Sequence, residues 1–132
     1  MFASCKILIV DDDKDDQLIL SDVISELYPE CKYQVSNNGL EALEYIKSDP
    51  PPPKLIFLDL NMPILNGYEF LKDFKKTCDW EESKIIIYST SSHPRDKELT
   101  RDLGASEYLT KPGDVDILKT EVKQLVEKYS CN

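Results

Sequence analysis

The chain has 132 residues, 41% hydrophobic and 31% charged, with a net charge of −9, which suits a single globular domain over residues 1–132. The negative balance argues against nucleic acid as a direct ligand, because a phosphate backbone asks for a basic face. No apolar run approaches the roughly 20 residues of a membrane span, and Met1-Phe2-Ala3-Ser4-Cys5-Lys6 lacks a signal-peptide core, so a cytoplasmic protein with no membrane partner is expected.

Strand and helix alternate five times. The first strand is predicted over 6–11, where Ile7-Leu8-Ile9-Val10 runs into Asp11-Asp12-Asp13. A helix over 15–28 follows, with Leu20, Val23, Ile24 and Leu27 at i, i+3, i+4, i+7 and Pro29 beyond its end. The second strand, 32–36, is weaker; Tyr33 and Val35 alternate as in a half-buried edge strand. Asn37-Asn38-Gly39 opens a helix over 39–48 carrying Leu43 and Ile46. The prolines at 50–53 cannot continue a helix and read as a stiff surface loop.

The third strand, 54–59, is apolar after Lys54, as burial on both faces requires, and stops at Asp59. A helix over 67–77 turns Phe70, Leu71 and Phe74 inward, and Trp80 in the polar segment after it reads as a loop anchor. A strand over 84–89, a helix over 94–103 and a short strand Glu107-Tyr108-Leu109 follow. The last helix, 114–129, places Val115, Leu118, Val122 and Leu125 on one stripe. This alternation implies a parallel sheet covered by helices on both faces, with right-handed crossovers. Cys5, Cys31, Cys78 and Cys131 have no CxxC spacing and read as reduced thiols.

Apolar strands rarely stop in carboxylates, because buried unpaired charge is costly. If the first and third strands are neighbours, Asp11, Asp12 and Asp59 converge at the carboxyl edge of the sheet, where ligands bind in open α/β folds. Two carboxylates about 4 Å apart repel by roughly 4 kcal/mol at an effective dielectric of 20. A cation must hold three together, and Mg²⁺, which prefers oxygen ligands, fits best. The fourth strand ends in Ser89-Thr90-Ser91 and the fifth leads to Thr110-Lys111-Pro112 on the same edge. Asp13, Asp15 and Asp16 read as acids favoured by a helix N-terminus, Asp13 alone being a candidate to support the site from behind. His93 reads as a solvated loop residue.

Acid pair, lone Asp, hydroxyl and Lys-Pro in this order resemble the receiver domain of two-component response regulators, over about residues 5–129, most like a stand-alone receiver. The resemblance implies a flavodoxin-like, doubly wound five-stranded parallel sheet of order 2-1-3-4-5 with five helices. It implies that Asp59 is the phosphoacceptor, forming an acyl phosphate. Asp12 would ligate Mg²⁺ (or Mn²⁺) directly, Asp11 would hold a metal-bound water, and Asp59 with the backbone carbonyl of Asn61 would complete the protein ligands. Lys111 would pair with a phosphoryl oxygen. Pro112 resembles the family's cis-proline, which would aim Lys111 inward. Ser89, where the family usually has Thr, would donate its hydroxyl to the phosphoryl group, and Tyr108 would be the aromatic that then turns inward. Thr90 is bulkier than is usual there and is expected to restrict approach to the phosphoryl group.

The resemblance also implies a sensor histidine kinase or histidine phosphotransfer protein as donor and a downstream protein as target. It leaves open a homodimer through the fourth helix, fifth strand and fifth helix; Leu99 and Leu103 either serve such a contact or pack on the sheet. Such a domain catalyses its own phosphorylation and dephosphorylation but is not a turnover enzyme. Two alternatives compete: a Mg²⁺-dependent phosphohydrolase of the haloacid dehalogenase kind, and a receiver-like module that binds partners without phosphorylation. The first needs an acid two residues after the nucleophile, where this chain has Asn61. The second leaves the acid–hydroxyl–lysine set unexplained. A flavodoxin is disfavoured, since the acidic edge would repel a flavin phosphate.

Overall fold

A computed structural model describes residues 6–78 and 80–129; Cys5, Cys131 and the N-terminal segment weighed as a signal peptide lie outside them. Five strands, β1 (Lys6–Val10), β2 (Lys32–Ser36), β3 (Leu55–Leu58), β4 (Lys84–Ser89) and β5 (Glu107–Thr110), alternate with α1 (Lys14–Leu27), α2 (Gly39–Lys47), α3 (Gly67–Thr77), α4 (Pro94–Asp102) and α5 (Val115–Tyr129). All pair in parallel, in the order β2-β1-β3-β4-β5. Among the described residues no helix is long and apolar enough to cross a membrane.

Strand side chains alternate between faces, and here they feed two cores. On one face Leu8, Val10, Ile56, Leu58, Ile85 and Ile87 pack with Leu43 and Ile46 of α2 and with Phe70, Leu71 and Phe74 of α3. On the other Ile7, Ile9, Leu55, Phe57 and Ile86 pack with Leu20, Val23 and Ile24 of α1 and with Leu118, Val122 and Val126 of α5. Every residue of β3 is buried, so the strand that ends in Asp59 is gripped from both sides.

Two expectations are corrected and one alternative is decided. The apolar stripe of α5 runs at i, i+4, i+8 through Val126; Val115, its first residue, is exposed, and Leu125 is only partly buried. Tyr33 on the outermost strand is exposed as well. Leu103 packs against the core while Leu99 stays exposed, so only Leu99 remains available to a partner on α4. Trp80 anchors its loop as expected, its ring edge-on to Phe74 at 6.1 Å. Pro51 and Pro52 are exposed; Pro53 is buried and its carbonyl accepts from Ser83 Oγ at 2.6 Å.

Candidate functional site

The register of β1 on β3 pairs Val10 with Leu58, so the residues that follow both strands emerge side by side. The Asp59 amide donates to Val10 O (2.9 Å) and the Asp11 amide to Ser36 O (3.0 Å), which carries the sheet hydrogen bonding through both acids. Asp11 and Asp59 are buried while Asp12 is exposed, and each of the three offers an oxygen within 4.8 Å of the others. Asp11 Oδ1 accepts from the Asp13 amide and Asp59 Oδ1 from the Leu60 amide, both at 2.9 Å.

Lys111 reaches in from the end of β5. Its Nζ lies 2.9 Å from Asp11 Oδ2, 2.8 Å from Asp16 Oδ2 and 3.8 Å from Asp59 Oδ1. It also sits 5.3 Å from the centre of the Tyr88 ring. The Lys111 amide donates to Ser89 O at 2.7 Å, tying the ends of β4 and β5 together. The Lys111–Pro112 bond is trans, since the described residues contain no cis peptide bond; this corrects the expected cis-proline. The inward aim of Lys111 comes from its three carboxylate neighbours and from the strand pairing that carries its backbone.

Burial pushes Asp59 up to about 6, with the Asp11 charge adding to the shift and Lys111 opposing it. Burial raises Asp11 too, against its hydrogen bond from Asp13 and its pairing with Lys111. For Lys111, burial disfavours the ammonium, but the hydrogen bond to Asp16, the close ion pair with Asp11 and the charge of Asp59 win and raise it above the usual lysine range. The pocket thus carries more negative charge than one lysine offsets.

Asp11 Oδ2 is buried and accepts no aligned hydrogen bond, although Lys111 Nζ lies close by as a counter-charge. The close approach is an ion pair that leaves the oxygen without an aligned donor. Oxygen ligands of an octahedral Mg²⁺ at ~2.1 Å lie roughly 3–4 Å apart. Bringing oxygens within 4.8 Å of one another to that spacing asks only a small contraction. The donor set therefore fits a hard divalent cation.

The acids open into a cavity of about 480 Å³ lined by Asp12, Asp16, Asp59, Asn61, Thr90 and Lys111, among others. Ser89 is fully buried, and its Oγ accepts from the Ser91 amide at 3.2 Å. Tyr108 is half-buried, with its hydroxyl donating to Ser91 O at 2.7 Å. Gly67 allows α3 to start directly against the end of β3: a Cβ there would collide with the Asp59 carbonyl and with Leu60 Cα at 2.9 Å.

The sequence reading missed two contributors. Asp16, taken as a helix-start acid, bonds Lys111. Gln17 is buried and donates through Nε2 to Asp11 O at 2.5 Å and to Asn37 Oδ1 at 2.8 Å, bracing the β1–α1 loop against the loop after β2. Asp13 is the α1 cap, accepting from the Asp15 and Asp16 amides. His93 does more than contact solvent: it caps α4, Nδ1 accepting from the Arg95 amide at 3.1 Å.

Comparison with known proteins places this geometry in context. The family model described as response regulator receiver domain matches residues 7–123. The sporulation initiation phosphotransferase F of Bacillus subtilis (strain 168) is 32% identical, over 94% of this chain and 92% of that protein. A probable cyclic di-GMP phosphodiesterase of Vibrio cholerae is also 32% identical over 91% of this chain, yet the chain spans only 26% of that relative. Among solved structures, the phosphorylated cyanobacterial phytochrome response regulator RcpA superposes with a TM-score of 0.86 at 26% identity, covering 96% of this chain and 94% of that one. The Mn²⁺-bound form of response regulator Rcp1 superposes with a TM-score of 0.82 at 25% identity, covering 97% and 96%.

Proposed function

The chain belongs to the response regulator receiver domain family, and from that premise we propose that it is a phosphorylation switch whose acceptor is Asp59. The observation that carries this is the meeting of Asp11, Asp12 and Asp59 within 4.8 Å, with Lys111 Nζ 3.8 Å from Asp59. An Asp59 carboxylate oxygen attacks the phosphorus of a phosphohistidine. The P–N bond breaks, its electron pair returns to the imidazole nitrogen, which takes up a proton, and an acyl phosphate remains on Asp59. Hydrolysis breaks the bond from phosphorus to the aspartyl oxygen as water attacks, releasing inorganic phosphate and a proton and restoring the carboxylate.

Asp12, Asp59 and the Asn61 carbonyl would hold Mg²⁺, or Mn²⁺, with Asp11 supporting a bound water. When bound, the cation supplies charge neutralisation for the incoming phosphoryl oxygens. Lys111 pairs with a phosphoryl oxygen, and Ser89 turns its hydroxyl toward the group, drawing the loop after β4 with it. Tyr108 then leaves Ser91, which alters the α4–β5–α5 face read by a target protein or a second copy of the chain. The donor is a histidine kinase or phosphotransfer protein, and the receiver works in the cytoplasm. The phosphohydrolase alternative is disfavoured by Asn61, which cannot act as the general acid, and the phosphorylation-independent alternative by the assembled pocket.

The test is incubation with Mg²⁺ and acetyl phosphate. The expected product is an acid-stable, base-labile mass increase of one phosphoryl group that is absent in Asp59→Asn. Label that persists in this variant would overturn the acceptor assignment.

A further inference from the structure

We propose that Asp16 is a positioning residue that holds Lys111 back from Asp59, so that an arriving phosphoryl group must take the lysine from it. This rests on the reading of Asp59 as the phosphoacceptor. Lys111 Nζ donates to Asp16 Oδ2 at 2.8 Å, whereas Asp59 Oδ1 is 3.8 Å away, beyond hydrogen-bond reach. The ammonium is therefore bonded to Asp16 and paired with Asp11 at 2.9 Å, and stops short of bonding distance to the proposed acceptor.

The three carboxylates around Lys111 are not equivalent. Asp11 and Asp59 belong to the group that can share a cation; Asp16 does not. Once a cation claims the charge of Asp11 and Asp59, Asp16 is the partner that keeps its full charge for the lysine. Its backbone is fixed, because its amide donates to the Asp13 cap at 3.1 Å. Its side chain is 28% exposed, so the carboxylate can turn to water once the lysine leaves. A protein whose binding-competent arrangement is only partly populated shows a proportionally weaker apparent affinity. Asp16 thus sets the threshold at which the phosphorylated arrangement forms.

Asp15 supplies a matched control. It lies in the same first turn of α1 and lines the same cavity but forms neither an ion pair nor a hydrogen bond with Lys111. The probe is beryllofluoride in saturating Mg²⁺, with affinity measured by calorimetry on the full chain. Asp16→Asn should tighten binding by about fivefold or more, as expected if release of the lysine is the limiting equilibrium. Asp15→Asn should change it much less, Asp16→Glu should restore the weaker binding, and Asp16→Asn should have no effect in a Lys111→Met background. The ¹⁵N resonance of Lys111 Nζ in the free protein should move in Asp16→Asn and not in Asp15→Asn. Equal tightening in both asparagine variants, or an Asp16→Asn effect that survives without Lys111, reduces the role to general charge and overturns the inference. Wild-type protein that binds no beryllofluoride would sink the reading of Asp59 itself, and this inference with it.

Discussion

Tyr108 is hydrogen-bonded to Ser91: its hydroxyl lies 2.7 Å from the Ser91 carbonyl oxygen, joining β5 to the loop after β4. The same loop is held elsewhere. Ser91 Oγ donates to Asp96 Oδ2 at 2.6 Å, Tyr68 of α3 donates to Asp96 Oδ1, and the Ser91 amide donates to Ser89 Oγ. Ser89, Ser91, Asp96, Tyr68 and Tyr108 form one connected unit, so rotating the Ser89 hydroxyl toward a phosphoryl group deprives the Ser91 amide of its acceptor and loosens the rest.

Asp96→Asn should weaken this unit. The charged acceptor of two hydroxyl donors becomes a neutral amide, at a cost of about 1 kcal/mol for a partly exposed group. Amide exchange at Ser91 and in the first turn of α4 should quicken, and beryllofluoride should move those resonances over a smaller range. The Ser91 and Tyr68 hydrogen bonds hold the Asp96 carboxyl below its ordinary value. A group lowered on folding stabilises the native state above its unfolded value, near 4, and loses that contribution as pH falls through the folded value. Between pH 5 and 8 the loop should therefore not respond to pH through Asp96, and its carbonyl resonance should titrate only under more acid conditions.

Divalent cations should stabilise the fold by relieving repulsion among Asp11, Asp12 and Asp59. At tenfold excess over the dissociation constant the gain is about 1.4 kcal/mol, or roughly 5 °C in melting temperature for a domain of this size. Asp12→Ala should lose most of that rise, and chelation should reverse it in the native chain. A melting temperature indifferent to millimolar Mg²⁺ would count against the cation site.

Ile64 has φ of 70° and is exposed in the loop between β3 and α3. A β-branched residue in the left-handed region is strained by roughly 1–2 kcal/mol. Ile64→Gly should relieve it, and despite the greater freedom glycine gives the unfolded chain, stability should rise by about 0.5–1 kcal/mol. Denaturant midpoints would register the change, with the slope unaltered.

Thr90 is exposed and lines the cavity beside Asp59 and Lys111. Thr90→Ala should open a path for water and shorten the acyl phosphate half-life by about twofold or more, a difference of only a few tenths of a kcal/mol in barrier. Decay of the phosphorylated mass measures it. An unchanged half-life would show that the side chain does not limit approach.

Much of the fold was legible because β1, β3 and β4 are covered on both faces, which leaves unbroken apolar runs in the chain. The convergence of Asp11, Asp12, Asp59 and Lys111 followed from strand ends and parallel order. Asp16 was illegible for a physical reason. Asp13, Asp15 and Asp16 all suit a helix start, and which one turns to a cation depends on Lys111, 95 residues away. The isomer at Lys111–Pro112 was likewise beyond local pattern. The α5 stripe was misjudged at Val115 because its helical period fits an inward face, while the actual contact line runs through Val126.

The short backbone link from the Lys111 amide to Ser89 O has a mechanical outcome. The positive charge and the hydroxyl ride on two strands stitched together at their tips, so neither backbone travels far alone. Any displacement of the Lys111 backbone would therefore pull on the Ser89 backbone through that single bond, as a lever shared by the tips of two strands.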